Sequence, residues 1–470
     1  MWVFLSGLVV FAFYAVATWF AFQAAATART PQGAMGWVVF LLAIPFMAVP
    51  AYLFLGHHRF RGYRIARRES ERVVAGIRDF ATQYRPAPDA TPINLRPFEQ
   101  IAGMPAIRGN GVDLLINGQV AFDAMFQAID AAQSYVLVQF YIVRNDGLGL
   151  KLQQKLIAAA GRGVSVLFMT DAVGSHALPT SYSDTLRAAG VRVVDRASAR
   201  GPKFRFQINY RNHRKTVIVD GHTGFVGGLN VGDEYLGLGQ EFGTWRDTHV
   251  RLRGPVVLQL QLIFVEDWHW VTDEPLLGEL TWQTANAPEN MTALITATGP
   301  GDETEAGSLM FFSAIAAAQH RVWIASPYFV PDFAVMGALN HAAMRGLDVR
   351  ILVPEKADHM LSWLAAFTYF DDVMAAGVRV FRYTNGFMHQ KVFLIDDHLT
   401  GVGTTNLDNR SFRLNFETMA LFFDPRAAAA TKAMLQADFE NAYEMTLTID
   451  QQPRLIRLGA PLARLFSPLL

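Results

Sequence analysis

The chain contains one eight-residue pattern twice, as His213-Arg214-Lys215-Thr216-Val217-Ile218-Val219-Asp220 and as His389-Gln390-Lys391-Val392-Phe393-Leu394-Ile395-Asp396. Glycine, asparagine and glutamate follow each histidine at the same three later positions. These are Gly227, Asn230 and Glu241 after the first histidine, and Gly403, Asn406 and Glu417 after the second. Ordinary residue usage produces a single pattern of this kind by chance, but not two copies with matching later positions. The repeat therefore predicts two related units.

A wider repeat surrounds these patterns. The segment Ala188-Ala189-Gly190-Val191-Arg192-Val193 recurs as Ala375-Ala376-Gly377-Val378-Arg379-Val380. Strand-like apolar runs at Val136–Val143 and Val164–Met169 alternate with helical patterns at Phe122–Ala132 and Leu150–Ala160. This alternation predicts an α/β fold with a central sheet in each of two duplicated lobes. We expect the lobes to span residues 106–272 and 290–446, with 273–289 as their connection.

The spacing of histidine and lysine indicates that they act together. In a strand, residues i and i+2 point to the same face, which applies to His213 with Lys215 and to His389 with Lys391. A lysine on a buried strand is costly unless its charge is paired, and a bound phosphate would supply the partner. The two copies thus predict a phosphoryl site in which one imidazole attacks phosphorus and the other protonates the leaving oxygen.

The other shared positions have supporting roles. The aspartate at +7 has the opposite strand parity, so we expect it to brace the local structure. The glutamate is the candidate for orienting the imidazole, and the asparagine amide can donate to phosphate oxygens. These assignments concern Asp220 and Asp396, Glu241 and Glu417, and Asn230 and Asn406, respectively.

Two other interpretations of the histidines are weaker. Purely structural His–Glu pairs would leave the duplicated lysines buried without a purpose. A metal site is disfavoured because a lysine beside each histidine would repel a nearby cation. The sequence therefore predicts chemistry with no metal and no cofactor.

The composition divides the chain into two parts. It has 470 residues, a mean hydropathy of +0.18, 41 basic and 41 acidic residues, and no cysteine. The zero net charge argues against a general nucleic-acid-binding surface, and the missing cysteines exclude disulfides and a cysteine nucleophile. The apolar excess lies at the N-terminus, where Arg29 is the only charged residue before His57.

Residues 1–58 predict a hairpin of two transmembrane helices. Two uncharged runs, 1–28 and 32–56, each exceed the roughly 20 residues that cross a bilayer core. Pro45 and Pro50 predict that the second helix is kinked, and a re-entrant segment remains open. A cleaved signal peptide would need a basic start that Met1-Trp2-Val3 lacks, and buried core helices rarely stay uncharged this long.

A basic segment follows the hairpin, in the predicted juxtamembrane region and linker 59–105. By the positive-inside rule, it places the rest of the chain in the cytoplasm, within reach of an anionic membrane surface. At the other end, the tail 447–470 mixes arginines with apolar residues and fits either a membrane-surface segment or an ordinary packed terminus. The basic residues after the hairpin are Arg59, Arg61, Arg64, Arg67, Arg68 and Arg72.

The two patterns resemble the signature of the phospholipase D superfamily, which has H-x-K-x4-D and then G-G/S/T-x-N once per lobe. The N-terminal hairpin, Ser326-Pro327-Tyr328-Phe329 and the segment 406–411 are more specifically similar to bacterial cardiolipin synthases. The likeness covers about residues 106–446. One departure is Gly228, where many members have serine.

The resemblance implies a phospholipase D-type sandwich and an enzyme of the bacterial inner membrane. It implies transfer of a phosphatidyl group between two phosphatidylglycerols through a phosphohistidine, with His213 as nucleophile and His389 as general acid and base. Phospholipid hydrolysis to phosphatidic acid, a nuclease and an inert lipid-binding scaffold remain as alternatives. The implied catalytic set is His213, Lys215, Asp220, His389, Lys391 and Asp396.

Overall fold

The computed structural model describes residues 2–28, 30–56, 84–87, 90–195 and 211–470. The arginines predicted to meet an anionic membrane surface, from Arg59 to Arg72, lie outside these ranges. Contacts divide the chain into an N-terminal helical unit and a large α/β unit.

The N-terminal unit contains α1 (Trp2–Thr27), α2 (Pro31–Ala43) and α3 (Pro45–Leu55). Thr30 begins α2 by accepting a hydrogen bond from the Gly33 backbone at 3.1 Å. Among the described helices, only α1 is long and apolar enough to cross a membrane by itself. The second predicted span is instead two shorter helices, because Ile44 leaves the helical conformation immediately before Pro45.

The helical unit is packed through small residues. Ala17, Ala21 and Ala24 recur every three or four positions on α1 and are buried in a cluster with Leu41 of α2 and with residues 48, 49 and 52 of α3. Large apolar side chains such as Phe11, which is 72% exposed, point outward. Small residues inside and large apolar residues outside are typical of helices in apolar surroundings.

The α/β unit contains two lobes with equivalent strands. The strands of the first lobe are β1 (Ile107–Ile116), β2 (Tyr135–Phe140), β3 (Ser165–Thr170), β4 (Arg192–Val194), β5 (Arg211–Asn212), β6 (Thr216–Val219), β7 (Thr223–Gly227), β8 (Trp245–Arg246) and β9 (Thr248–Arg253). Those of the second are β10 (Met291–Thr298), β11 (Arg321–Ala325), β12 (Phe329–Val330), β13 (Asp348–Pro354), β14 (Arg379–Tyr383), β15 (Phe387–Met388), β16 (Val392–Ile395), β17 (Leu399–Gly403), β18 (Leu407–Asp408), β19 (Asn415–Phe422) and β20 (Ala442–Glu444).

Helices connect and cover the strands. They are α4 (Arg96–Ala102), α5 (Asn117–Ala131), α6 (Gly147–Gly161), α7 (Thr180–Ala188), α8 (Val256–Thr272), α9 (Ala306–Ala317), α10 (Phe333–Met344), α11 (Met360–Ala375), α12 (Asn409–Arg413), α13 (Pro425–Glu440) and α14 (Arg454–Arg464).

The strand order confirms the predicted duplication. The first lobe reads β1-β9-β7-β6-β2-β3-β4 and the second reads β10-β19-β17-β16-β11-β13-β14-β20. In each lobe three parallel strands, β2-β3-β4 or β11-β13-β14, lie beside an antiparallel group. The lobes join where β1 pairs with β10 in antiparallel register.

A shared core holds the lobes together. One buried apolar cluster combines side chains of α8 and β9 from the first lobe with side chains of β19 and α13 from the second. Two further clusters each lie mainly within one lobe. Because the central cluster belongs to both lobes, side chains at their junction can be held in fixed geometry.

Candidate active site

The residues before the two motif histidines cross from one lobe to the other. Strand β5 pairs with β19 of the second lobe, and β15 pairs with β8 of the first. Each motif histidine continues this exchange, since the His213 backbone donates to Phe416 O at 3.0 Å and the His389 backbone donates to Arg246 O at 2.8 Å. This pseudo-symmetric pairing brings both predicted histidines to one site at the junction.

Each imidazole is held by a carboxylate from the other lobe. His213 Nδ1 lies 2.9 Å from Glu417 Oε2, and His389 Nδ1 lies 2.9 Å from Asp247 Oδ2. Both carboxylates are fully buried. With Nδ1–H donated to the carboxylate, Nε2 of each ring carries the free lone pair.

The prediction that Glu241 orients a histidine is wrong. Glu241 lies in an exposed turn. Strand register shows that Asp247 is the counterpart of Glu417. In the first lobe Gly227 pairs with His249, two residues after Asp247. In the second lobe Gly403 pairs with Met419, two residues after Glu417. The loop after Asn230 is six residues longer in the first lobe, so the matching +28 spacing of Glu241 is accidental.

Burial keeps both imidazoles neutral. Loss of hydration lowers the pKa of His213 to about 4 and that of His389 to about 4, although the adjacent carboxylates oppose this effect. Burial alone would raise the pKa values of Glu417 and Asp247, but the histidines and lysines around them hold both below their usual ranges. At neutral pH the site therefore presents unprotonated Nε2 atoms and ionised carboxylates.

The motif lysines lie beside their own histidines and are buried. Lys215 Nζ donates to His213 O at 2.6 Å, and Lys391 Nζ lies 3.0 Å from Nε2 of the His389 ring. Burial lowers the pKa of Lys215 to about 7 and that of Lys391 to about 8, whereas the nearby carboxylates raise both values. Two such lysines at one site favour a bound anion.

The motif asparagines are buried but not equivalent. Asn230 Oδ1 accepts from the Ile142 backbone at 3.2 Å, and its Nδ2 donates to the Tyr235 hydroxyl at 3.1 Å. Asn406 Oδ1 has no hydrogen-bond partner within the described ranges. The Asn230 amide is therefore already used in hydrogen bonds within the protein, and Asn406 is the better candidate for the predicted phosphate-binding role.

The motif aspartates lie at the far ends of their strands. Asp220 adopts a left-handed backbone, with φ of 52°, and accepts from three successive backbone N–H groups, those of residues 133–135. Asp396 does the same with residues 319–321. Both aspartates fix the turn between a helix and a strand, as the opposite parity predicts, and they do not touch the imidazoles.

The departure at Gly228 has a steric reason. A Cβ atom built there would lie 2.1 Å from Asp247 Oδ1. In the second lobe, Thr404 occupies the corresponding position and its hydroxyl donates to Glu417 Oε2 at 2.5 Å. Asp247 instead receives the Thr248 backbone N–H at 2.8 Å. The Thr404 hydroxyl thus supports a carboxylate.

Two buried ion pairs fix the segments that carry the histidines. Arg214, between His213 and Lys215, forms an ion pair with Asp267 of α8. Across the lobe junction, Arg246 of β8 binds Asp438 of α13 through two hydrogen bonds of 2.7 and 2.8 Å, and Gln390 donates to the same carboxylate at 2.7 Å. These residues could not be identified from the repeated patterns in the sequence. For Asp267 the one signal is a charged residue within the largely apolar pattern of α8.

Comparisons with known proteins match this geometry. The family profile described as "Cardiolipin synthase, PLD-like domain" matches residues 125–268 and 311–442, one segment in each lobe. Cardiolipin synthase A from Pseudomonas putida is 46% identical over 461 residues, which cover 96% of this chain and 95% of that protein. The chain belongs to the cardiolipin synthase family. Cardiolipin synthase A from Pseudomonas aeruginosa is likewise 46% identical, over 96% of this chain and 93% of its own length.

The solved structures show the same fold in a more distant protein. Phosphatidylserine synthase from Haemophilus influenzae superposes with a TM-score of 0.60, covering 80% of this chain and 99% of that one, at 14% identity. The cardiolipin synthase family and its two phospholipase D-like domains identify the chain as a phosphatidyltransferase-type enzyme of phospholipid synthesis. Family membership and the apolar helix α1 together indicate a membrane-associated protein.

Proposed function

We propose that this enzyme joins two phosphatidylglycerol molecules into cardiolipin and releases glycerol. The observation that carries the proposal is a single site in which two imidazoles, one from each lobe, are each held at Nδ1 by a buried carboxylate 2.9 Å away. Such a pair supplies one nucleophile and one acid–base group for a double displacement at phosphorus.

In the first half-reaction, Nε2 of His213 attacks the phosphorus of a phosphatidylglycerol. The bond from phosphorus to the glycerol headgroup oxygen breaks, and His389 donates its Nε2 proton to that oxygen. The products are glycerol, a phosphatidyl group bound to His213, and neutral His389. The choice of His213 as nucleophile follows the family resemblance.

In the second half-reaction, neutral His389 accepts the proton of a headgroup hydroxyl on a second phosphatidylglycerol. The hydroxyl oxygen attacks phosphorus and the P–N bond to His213 breaks. Cardiolipin leaves, His213 is restored and His389 again holds a proton. The two steps use the same residues in reverse, as a symmetric exchange of alcohols requires.

Charge balance supports the protonation that the first step needs. The two motif lysines in their protonated forms and the two buried carboxylates cancel in formal charge, and burial keeps the imidazoles of the substrate-free site neutral. Entry of a phosphodiester adds one negative charge, which raises the pKa of a neighbouring imidazole. A proton taken up by His389 restores neutrality.

The lysines supply the charge stabilisation that a metal ion supplies in many phosphoryl-transfer enzymes. Lys215 and Lys391 would each donate to the non-bridging oxygens, where charge is concentrated as the phosphoryl group transfers. The Asn406 amide is a further candidate donor. We therefore propose that turnover needs no metal and survives a chelator.

The membrane arrangement is part of the proposal. Helix α1 and the pair α2–α3 would form a hairpin in the bacterial inner membrane, with the α/β unit on the cytoplasmic side. The basic segment containing Arg59, Arg61, Arg64, Arg67 and Arg68 would bind the anionic lipid surface. The apolar outer faces of the helices support the first statement.

Product analysis tests the reaction. Purified full-length enzyme, given phosphatidylglycerol with a labelled headgroup and a chelator, should release one labelled glycerol for each cardiolipin formed. Phosphatidic acid as the only lipid product would instead show a phospholipase D-type hydrolase in which water is the acceptor. Absence of any lipid product would overturn the proposal.

A further inference from the structure

Helix α14 exposes a row of large apolar side chains. Leu455, Leu458, Leu462 and Leu465 are each between 64% and 75% exposed, and their spacing of three, four and three residues places them on one helical face. Soluble proteins seldom leave four leucines together on a surface without a binding partner. This row, which we call the leucine row, therefore needs an apolar partner.

Basic side chains lie along one side of the leucine row. Arg454, Arg457 and Arg464 are exposed, and the helix contains no acidic residue. At 100° per residue, Arg454 falls beside the leucine row and Arg457 on its flank, whereas Arg464 turns toward α11 and pairs with Asp372 at 3.4 Å. An apolar row with cations along its edge matches the interface of an anionic bilayer, where acyl chains and phosphates meet.

The opposite face of α14 anchors it to the second lobe. Ile456, Ala460 and Ala463 are buried in the core cluster that includes α11. A Cβ atom at Gly459 would lie 3.3 Å from Leu364, and the Arg464 guanidinium is 5.0 Å from the Tyr369 ring. These contacts show that α11 and α14 run in the same direction. The exposed Met360 at the start of α11 thus extends the apolar surface.

This surface borders the active site. Asp358, two residues before Met360, accepts a hydrogen bond from the Tyr328 hydroxyl at 2.5 Å. Its charge acts electrostatically on both His389 and Lys391. Beyond α14, Leu470 O accepts from the Arg410 backbone at 2.7 Å, four residues after Asn406. Segments on both sides of the leucine row thus reach the site where a phosphodiester would react.

We propose that the leucine row, with Arg454 and Arg457, forms a docking surface that inserts into an anionic bilayer and places the active-site entrance at the lipid headgroups. A phospholipid could then move its headgroup into the site while its acyl chains stay in the membrane. This surface is distinct from the N-terminal helices and would serve any activity on bilayer lipids.

The absence of native cysteines allows a direct test. The full-length variant Leu458→Cys, labelled with an environment-sensitive fluorophore and reconstituted into phosphatidylglycerol vesicles, should show a blue-shifted emission and be quenched by quenchers within the acyl region. The matched control is Met344→Cys, which is 74% exposed but lies before β13, at the end of the strands where Asp396 lies and not at the end that carries His389. Its label should respond only to an aqueous quencher.

Charge can be tested in the same assay. Adding Arg454→Gln and Arg457→Gln to the Leu458→Cys protein should lower the lipid-quenched fraction, by up to about fivefold for each arginine at low salt. Equal quenching at positions 458 and 344 would overturn the proposal. So would a label at 458 that is shielded from both quenchers, because a second copy or another part of this chain would then cover the leucine row. Neither readout depends on turnover, so failure here leaves the proposed reaction untouched.

Discussion

Single residues at the lobe junction explain why the histidines are ready to react. The histidines and lysines could be found from the sequence because strand parity places them on one face, and the structure keeps them together. Glu417 is indicated by the sequence only through its accidental +28 match with Glu241, and its true counterpart Asp247 could not be found, because a longer loop shifts it along the chain. Spacing identifies a site residue only where both repeats have loops of equal length.

Asp247 is the most informative position for testing this assignment. Asp247→Asn keeps the size of the side chain but removes the charge that fixes His389 Nδ1–H, so we expect kcat to fall by about 10²- to 10⁴-fold. Steady-state turnover of phosphatidylglycerol measures the effect. The control Glu241→Gln alters an exposed glutamate and should keep kcat within about twofold. The reverse pattern would contradict the orientation of His389 by Asp247.

His249 affects the acid stability of the fold. Burial lowers the pKa of His249 to about 3, well below the ordinary value near 6.5. Between these two pH values the unfolded chain binds a proton at this imidazole that the folded protein does not. The free energy of unfolding therefore falls as pH falls through this range. His249→Met, which copies Met419 of the second lobe, should flatten this dependence by roughly 1.4 kcal/mol per pH unit.

Unfolding in detergent across pH 6.5 to 4 provides the measurement. His359→Met is the matched control, since that imidazole is exposed at the surface, and it should leave the slope unchanged. An unchanged slope in His249→Met would show that the buried imidazole gains its proton in the folded protein as well.

At the scale of elements, the α/β alternation and the strands after each histidine could be predicted from the sequence. The apolar runs 216–219 and 392–395 are strands β6 and β16 with the expected bounds. The exchange of β5 and β15 between lobes could not be predicted, because two-residue strands have no periodicity. Nor could the partners of Arg214 and Arg246, which depend on how α8 and α13 pack.

The ion pair between Arg214 and Asp267 shows how an element supports the site. Both side chains are almost fully buried, so Asp267→Ala leaves an unpaired guanidinium and should destabilise the fold by about 3–5 kcal/mol. Denaturant unfolding in detergent measures the loss. The control Asp184→Ala breaks an exposed pair with Arg187 and should cost less than about 1 kcal/mol. Similar losses in the two variants would contradict a structural role for the buried pair.

The whole molecule combines two halves of one site with surfaces suited to lipid. Because each histidine is held by a carboxylate of the other lobe, neither lobe contains a complete catalytic set. This arrangement explains why the sequence repeats its chemical residues and why the central core is shared. The apolar N-terminal helices and the leucine row of α14 would then keep the site at the membrane.

Transfer of the phosphatidyl group is proposed to proceed through a covalent bond to one histidine of this shared site. Full-length enzyme mixed briefly with phosphatidylglycerol, denatured at neutral pH and digested, can be searched by mass spectrometry for a phosphatidyl adduct, since the P–N bond is lost in acid. We expect the adduct on the peptide that contains His213, and none in His213→Ala. An adduct on His389 alone would contradict the assigned roles, and cardiolipin formed at normal rates by His213→Ala would contradict the covalent mechanism itself.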